Sequence, residues 1–121
     1  MNTKMQKVLI VDDVDFTRDA ACKIVGLCGY EAIEAATKKE AMHHYYDDEP
    51  DLVLTDIFMP EEQGFETIQE IRHFDTETPI IAMGAPSNPL LLDIAHELGA
   101  QSTLQKPFRK ETLIDEIHKL I

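Results

Sequence analysis

Short apolar runs alternate with segments of helical period, and this alternation decides most of what the chain can fold into. Val8–Val11, Leu52–Thr55 and Ile80–Met83 are rich in Val, Ile and Leu, and Ser102–Gln105 is a weaker run. Tyr30–Glu34 is a less apolar candidate. A strand buried on both faces reads as a continuous apolar run, as Val8-Leu9-Ile10-Val11 does. Helical segments fill the intervals. Phe16 to Leu27 places Ala20, Ala21, Ile24 and Val25 on one face. Thr37 and Glu40 form a capping-box pattern that opens a helix to about Tyr46. Gly64 to Phe74 carries Phe65, Ile68 and Ile71. Asn88-Pro89 sets a cap residue before a proline at the first helical position, and Gly99 follows the end. Arg109 to Ile121 carries Leu113, Ile114, Ile117, Leu120 and Ile121 as one stripe.

Strand then helix, five times over, predicts an α/β domain: a parallel sheet with helices on both faces. At 121 residues the expected arrangement is the doubly wound five-stranded sheet with order 2-1-3-4-5. Ligands of such sheets bind at the carboxyl ends of the strands, where the strand order reverses, here between strands 1 and 3.

Composition narrows the functional classes. The net charge is −12, which argues against nucleic acid or an anionic membrane as a direct partner, since both call for a basic surface. No stretch approaches the roughly 18 apolar residues of a membrane span, and Met1–Lys7 lacks the apolar core of a secretory signal. A cytoplasmic location is expected. Cys22 and Cys28, read on one helix, fit neither a redox pair nor a tetrahedral metal site and read as small core or boundary residues. His43, His44, His73, His96 and His118 show no ligand spacing and are expected on the surface. Asp47-Asp48-Glu49-Pro50 reads as a solvated loop. The apolar segment Leu90–Leu98 exceeds what one buried face requires, so Leu90 or Leu92 is expected to face outward.

Three carboxylates fall where the ligand site should be. Asp12 and Asp13 follow strand 1, and Asp56 ends strand 3. Two unit charges 4 Å apart repel by about 4 kcal/mol at an effective dielectric of 20, so the cluster calls for protons or a cation. Oxygen ligands alone favour Mg²⁺ or a similar ion such as Mn²⁺. Mg²⁺ often completes its shell with a phosphate, and Lys106 after strand 5 offers a compact cation for one. An aspartate so placed can act as a nucleophile toward phosphorus.

With Val-Asp-Asp and Arg18 downstream, Asp56-Ile-Phe-Met-Pro followed by Gly64, and Gln-Lys-Pro-Phe at 105–108, the chain resembles the response-regulator receiver domains of two-component signalling, chemotaxis regulators among them. The resemblance covers essentially residues 1–121 as a single receiver without an output domain. It implies the flavodoxin-like fold and a phosphoryl group accepted on Asp56 from a histidine kinase or a histidine phosphotransfer protein. It implies Mg²⁺ held by Asp13, Asp12, Asp56 and the backbone carbonyl of Phe58. It implies Lys106 on the phosphoryl group, a cis Lys106–Pro107 bond, and a downstream protein bound through helix 4, strand 5 and helix 5. Such a module is not an enzyme beyond its own phosphorylation and dephosphorylation.

Two positions depart from the family pattern. Gly84 stands where a Thr or Ser normally ends strand 4, and Ser87 could replace it only by a three-residue slip. Thr103 stands where strand 5 usually carries an aromatic residue. Both halves of the usual conformational relay are missing, which predicts a weak response of the helix 4 to helix 5 surface. Two rival readings follow. A pseudo-receiver would bind partners with little dependence on phosphorylation. Asp13, Asp15 and Thr17 also resemble the Asp-x-Asp-x-Thr motif of haloacid-dehalogenase-type phosphatases, but that reading leaves Asp56 and Met59-Pro60 unexplained.

Overall fold

The computed structural model describes residues 5–85 and 89–121. Strands β1 (Lys7–Val11), β2 (Glu31–Ala35), β3 (Leu52–Asp56), β4 (Ile80–Gly84) and β5 (Ser102–Gln105) alternate with helices α1 (Asp15–Leu27), α2 (Lys38–Asp48), α3 (Gln63–Phe74), α4 (Pro89–Leu98) and α5 (Lys110–Leu120). The strands form one parallel sheet in the order β2-β1-β3-β4-β5, as the alternation predicts. Ser87 and Asn88 lie outside the described residues.

The period of two along each strand divides the core. Leu9, Val11, Val53, Ile80 and Ala82 face α2, α3 and α4 through Ala41, Ile68, Ile71, Leu92 and Ala95. Val8, Ile10, Leu52, Leu54, Ile81 and Met83 face α1 and α5 through Ala21, Val25, Leu113 and Ile117. Every residue of β3 and β4 is buried. Removing each such Leu or Ile from water contributes about 1.5–3 kcal/mol, so the central strands form a rigid base for whatever follows them.

At the start of α2 the Thr37 hydroxyl accepts from the Glu40 amide at 3.1 Å, and the Glu40 carboxylate reaches back past the N-cap to accept from the Ala36 amide at 2.7 Å. Several local expectations are corrected. Ala20 is exposed, because Ala21 and Val25, one turn apart, form the inner row of α1. Cys28 is not on that helix but caps its end. Asp47 and Asp48 belong to the last turn of α2 rather than to a loop, and Pro50 is buried. Carboxylates there oppose the helix dipole, which His43 at 3.2 Å from Asp47 and His44 at 2.8 Å from Asp48 can offset when protonated. On α4, Leu90 points outward and Leu92 inward, at 63% and 6% exposure. The five histidines lie at the surface, His44 half-buried.

Arg72 was not singled out by its sequence context, yet it ties together the pole of the sheet opposite the strand carboxyl ends. It donates to the carbonyls of Gly99, Asp75 and Thr78 at 2.8–2.9 Å and to the Gln101 side chain at 2.7 Å.

Gly64 opens α3 directly against β3. A Cβ there would overlap the Asp56 carbonyl oxygen and lie 2.6 Å from Ile57 Cα, both backbone atoms that cannot swing aside. Only glycine permits this approach. Gly64→Ala is expected to cost about 1–3 kcal/mol, the usual penalty of overpacking. Urea unfolding checks it; an unchanged midpoint would mean that α3 shifts freely.

Candidate functional site

Strand register builds the site. Val11 pairs with Thr55, so Asp12 and Asp56 emerge side by side from adjacent strands, about 5 Å apart by ordinary sheet spacing. Gly84 pairs with Gln105, and the Lys106 amide donates to the Gly84 carbonyl at 2.7 Å. Lys106 therefore starts from the same end of the sheet.

Its side chain reaches back across that end. Lys106 Nζ donates to Asp12 Oδ2 at 2.6 Å and to Asp56 Oδ2 at 3.1 Å. Asp12 is also held by the Val14 amide at 2.9 Å and the Thr17 hydroxyl at 2.7 Å. Asp56 Oδ1 accepts from the Phe58 amide at 2.9 Å. Asp12 and Asp56 are buried, at 1% and 3% exposure, while Asp13 is exposed. The Lys106–Pro107 bond is cis.

The charges do not balance within the cluster. Burial pushes the Asp56 carboxyl above the ordinary carboxylate range, and the Asp12 charge adds to the rise, while the Phe58 amide and Lys106 oppose it. Burial alone would lower the Lys106 ammonium, but its bonds and charges with Asp12 and Asp56 prevail and raise it. One ammonium thus faces three carboxylates. Carboxylate oxygens of Asp12, Asp13 and Asp56 lie within 4.8 Å of one another, a set of hard oxygen donors of the kind Mg²⁺ takes.

The rim is apolar. Val14, Phe16 and Phe58 are exposed. A hollow of about 350 Å³ beside Lys106 is lined by Phe16, Ala20, Ile24, Pro107 and Phe108.

Residues 8–118 match the family model of the response regulator receiver domain. The chain belongs to the response-regulator receiver family. The receiver is 35% identical over 116 residues to chemotaxis protein CheY of Thermotoga maritima, covering 95% of this chain and 97% of that one. It is 33% identical to CheY of Bacillus subtilis at the same coverage. It is 34% identical to the regulatory protein AtoC of Escherichia coli, of whose length it spans only 25%. Among solved structures, chemotaxis response regulator CheY4 of Vibrio cholerae superimposes with a TM-score of 0.88 at 30% identity, over 98% of this chain and all of that one. Receivers are signalling modules rather than classical enzymes, and the CheY-like fold is the flavodoxin-like one expected from the sequence. No helix among the described residues is long and apolar enough to cross a membrane.

The structure thus brings Asp12, Asp13, Asp56 and Lys106 together. The phosphatase-like reading of Asp13, Asp15 and Thr17 finds no such support: Asp15 turns to Arg18 at 2.6 Å, and Thr17 serves Asp12. Arg18 also donates to the Asp12 carbonyl at 2.8 Å. Thr17 as a support of Asp12 was not visible in sequence; a hydroxyl one helical turn past a strand-end aspartate is the signal that could have found it. Gly84 stands at the end of β4 as expected, but the space in front of it is not empty. A Cβ there would lie 3.1 Å from both Ile57 Cδ1 and Leu92 Cδ2. Thr103 is exposed and borders a hollow of about 400 Å³ between α4 and β5.

Proposed function

We propose that this receiver takes a phosphoryl group onto Asp56 from a phosphohistidine donor, with Mg²⁺ held by Asp12, Asp13, Asp56 and the Phe58 carbonyl. The observation that carries the reading is the buried Asp56 carboxylate shared between Lys106 Nζ and the Phe58 amide, with two more carboxylates within 4.8 Å. When bound, the metal supplies positive charge against the charge developing on the phosphoryl oxygens. An Asp56 oxygen forms the new P–O bond as the donor's P–N bond breaks and its electron pair returns to the imidazole nitrogen. Lys106 Nζ holds a phosphoryl oxygen and Asp12 keeps Lys106 in place. The test is phosphoryl uptake from acetyl phosphate with and without Mg²⁺: one acid-labile group per chain, dependent on the metal, is expected, and multiple turnover of a generic phosphate ester would contradict it.

Asp13→Ala is expected to remove most Mg²⁺ affinity and phosphoryl uptake. It is also expected to raise the metal-free unfolding midpoint, since one charge repelling Asp56 and Asp12 is gone. Normal uptake would overturn the metal assignment, and a lower midpoint the repulsion argument.

The apolar hollow shares Lys106 with the reacting cluster, so a donor protein presenting phosphohistidine to Asp56 would cover it. Phe16, 82% exposed, would be its anchor. Phe16→Ala is expected to slow transfer from a phosphohistidine-bearing protein about tenfold, the kinetic equivalent of one lost hot-spot contact. Uptake from acetyl phosphate should be unchanged; equal slowing with both donors would place Phe16 in the chemistry instead of the docking.

The downstream partner is proposed to bind the face of α4, β5 and α5, where Leu90 and Ile94 are exposed.

A further inference from the structure

Ile57 directly follows Asp56, and its amide donates to the Met83 carbonyl at 2.9 Å, continuing the β3–β4 pairing past the strand end. The hydrogen bond from the Phe58 amide to Asp56 Oδ1 closes a ring that contains the Ile57 backbone. A change in what Asp56 Oδ1 accepts therefore acts on the turn that carries Ile57. Its side chain is 3% exposed and occupies the volume that a side chain at Gly84 would need. A Cβ built on Gly84 meets Ile57 Cδ1 at 3.1 Å, Ile57 Cγ1 at 3.2 Å and Leu92 Cδ2 at 3.1 Å. Leu92 belongs to the buried row of α4 with Ala95.

We infer that Ile57 is the residue that positions α4 in response to Asp56, by packing against Leu92 over Gly84, in place of a hydroxyl relay. Gly84 then leaves room for this packing, which a side chain there would crowd. Packed interiors have low compressibility and pass on displacements, so a shift of the Ile57 backbone becomes a shift of Leu92. This rests on Asp56 being the phosphoacceptor. It replaces the weak response expected from the missing Thr or Ser with a response carried by shape.

Backbone amide NMR of the full chain, with Mg²⁺ and beryllofluoride as the phosphoryl mimic, tests it. In the wild type, shifts are expected near Asp13, Asp56 and Lys106 and also at Leu92 and Ala95. Ile57→Ala should keep the first group and lose more than half of the second; Ile57→Leu, of equal volume, should restore them. Ile57→Val, which trims only Cδ1, should give a partial loss and serves if the alanine variant folds poorly. Unchanged α4 shifts in Ile57→Ala, or none in the wild type despite shifts at Asp56, would overturn the inference. No shift at Asp56 in the wild type would instead remove the phosphoacceptor reading. A metal-free measurement stands apart from both. Gly84→Ala should lower the unfolding midpoint more in the wild type than beside Ile57→Val, because the second change removes one of the clashing atoms. Additive effects would mean that the two residues do not share this space.

Discussion

Asp56→Asn is expected to bring phosphoryl uptake to background while leaving a folded protein that unfolds at a higher temperature. Loss of uptake follows from the nucleophile: an amide oxygen does not displace the donor's imidazole. The gain in stability follows from linkage. Burial raises the folded pKa of Asp56 above its ordinary value, so the native state binds the proton more tightly than the unfolded chain does. A group shifted this way lowers stability as pH rises from its unfolded pKa through its folded one. Its cost is present in full only above the folded pKa. Asparagine keeps the shape and can still accept from Phe58, while Lys106 keeps Asp12 at 2.6 Å. The midpoint gain should shrink toward acid pH, where the wild-type carboxyl takes up its proton. Differential scanning calorimetry across pH checks this, and a lower midpoint at neutral pH would show that the Lys106–Asp56 pair stabilises more than burial of the carboxylate costs.

Lys106→Met acts in the opposite direction. Lys106 is the ammonium joined to both buried aspartates, with only 19% of its side chain exposed. Removing one partner of a buried ion pair leaves uncompensated charge and costs about 3–5 kcal/mol; with the cleft open to water at Asp13, about 2–4 kcal/mol is expected. The sign with pH is fixed by what remains. Without the ammonium, the Asp12 and Asp56 carboxylates repel, the native state takes up a proton more readily, and the lost stability returns as pH falls. In the wild type the raised Lys106 pKa keeps its contribution present through neutral pH and loses it only when alkaline pH passes through the folded value. Millimolar Mg²⁺ should also recover part of the variant's loss, because a ligand held by the native cluster alone stabilises by mass action. Phosphoryl uptake should fall sharply even with Mg²⁺ present. Equal stability of variant and wild type would mean that the carboxylates are already neutral.

The parallel sheet and its site were legible because they rest on few signals. Val8–Val11 and Leu52–Thr55 read as doubly buried strands, and the doubly wound topology alone sends the residues after them to one place. What escaped the sequence is what depends on rotation and shape. Ala20 sits one position off the inner row of α1, a difference of one helical step that composition does not mark. Asp47 and Asp48 read as loop because helix interiors rarely end in acids, and the histidines one turn before them were not weighed. Gly84 looked like an omission, since nothing in the sequence says that Ile57 and Leu92 close over it. The role of Arg72 is set by four acceptors from two loops, which only the folded chain brings together.

The central claim, that Asp56 accepts the phosphoryl group, is tested most directly by trapping it. The protein is incubated with acetyl phosphate and Mg²⁺, reduced with borohydride and mapped by peptide mass spectrometry. Conversion of Asp56, and of no other aspartate, to homoserine is the expected result, absent when the metal is chelated. Homoserine at Asp12 or Asp13, or no conversion at any position while Mg²⁺ is bound, would contradict the account.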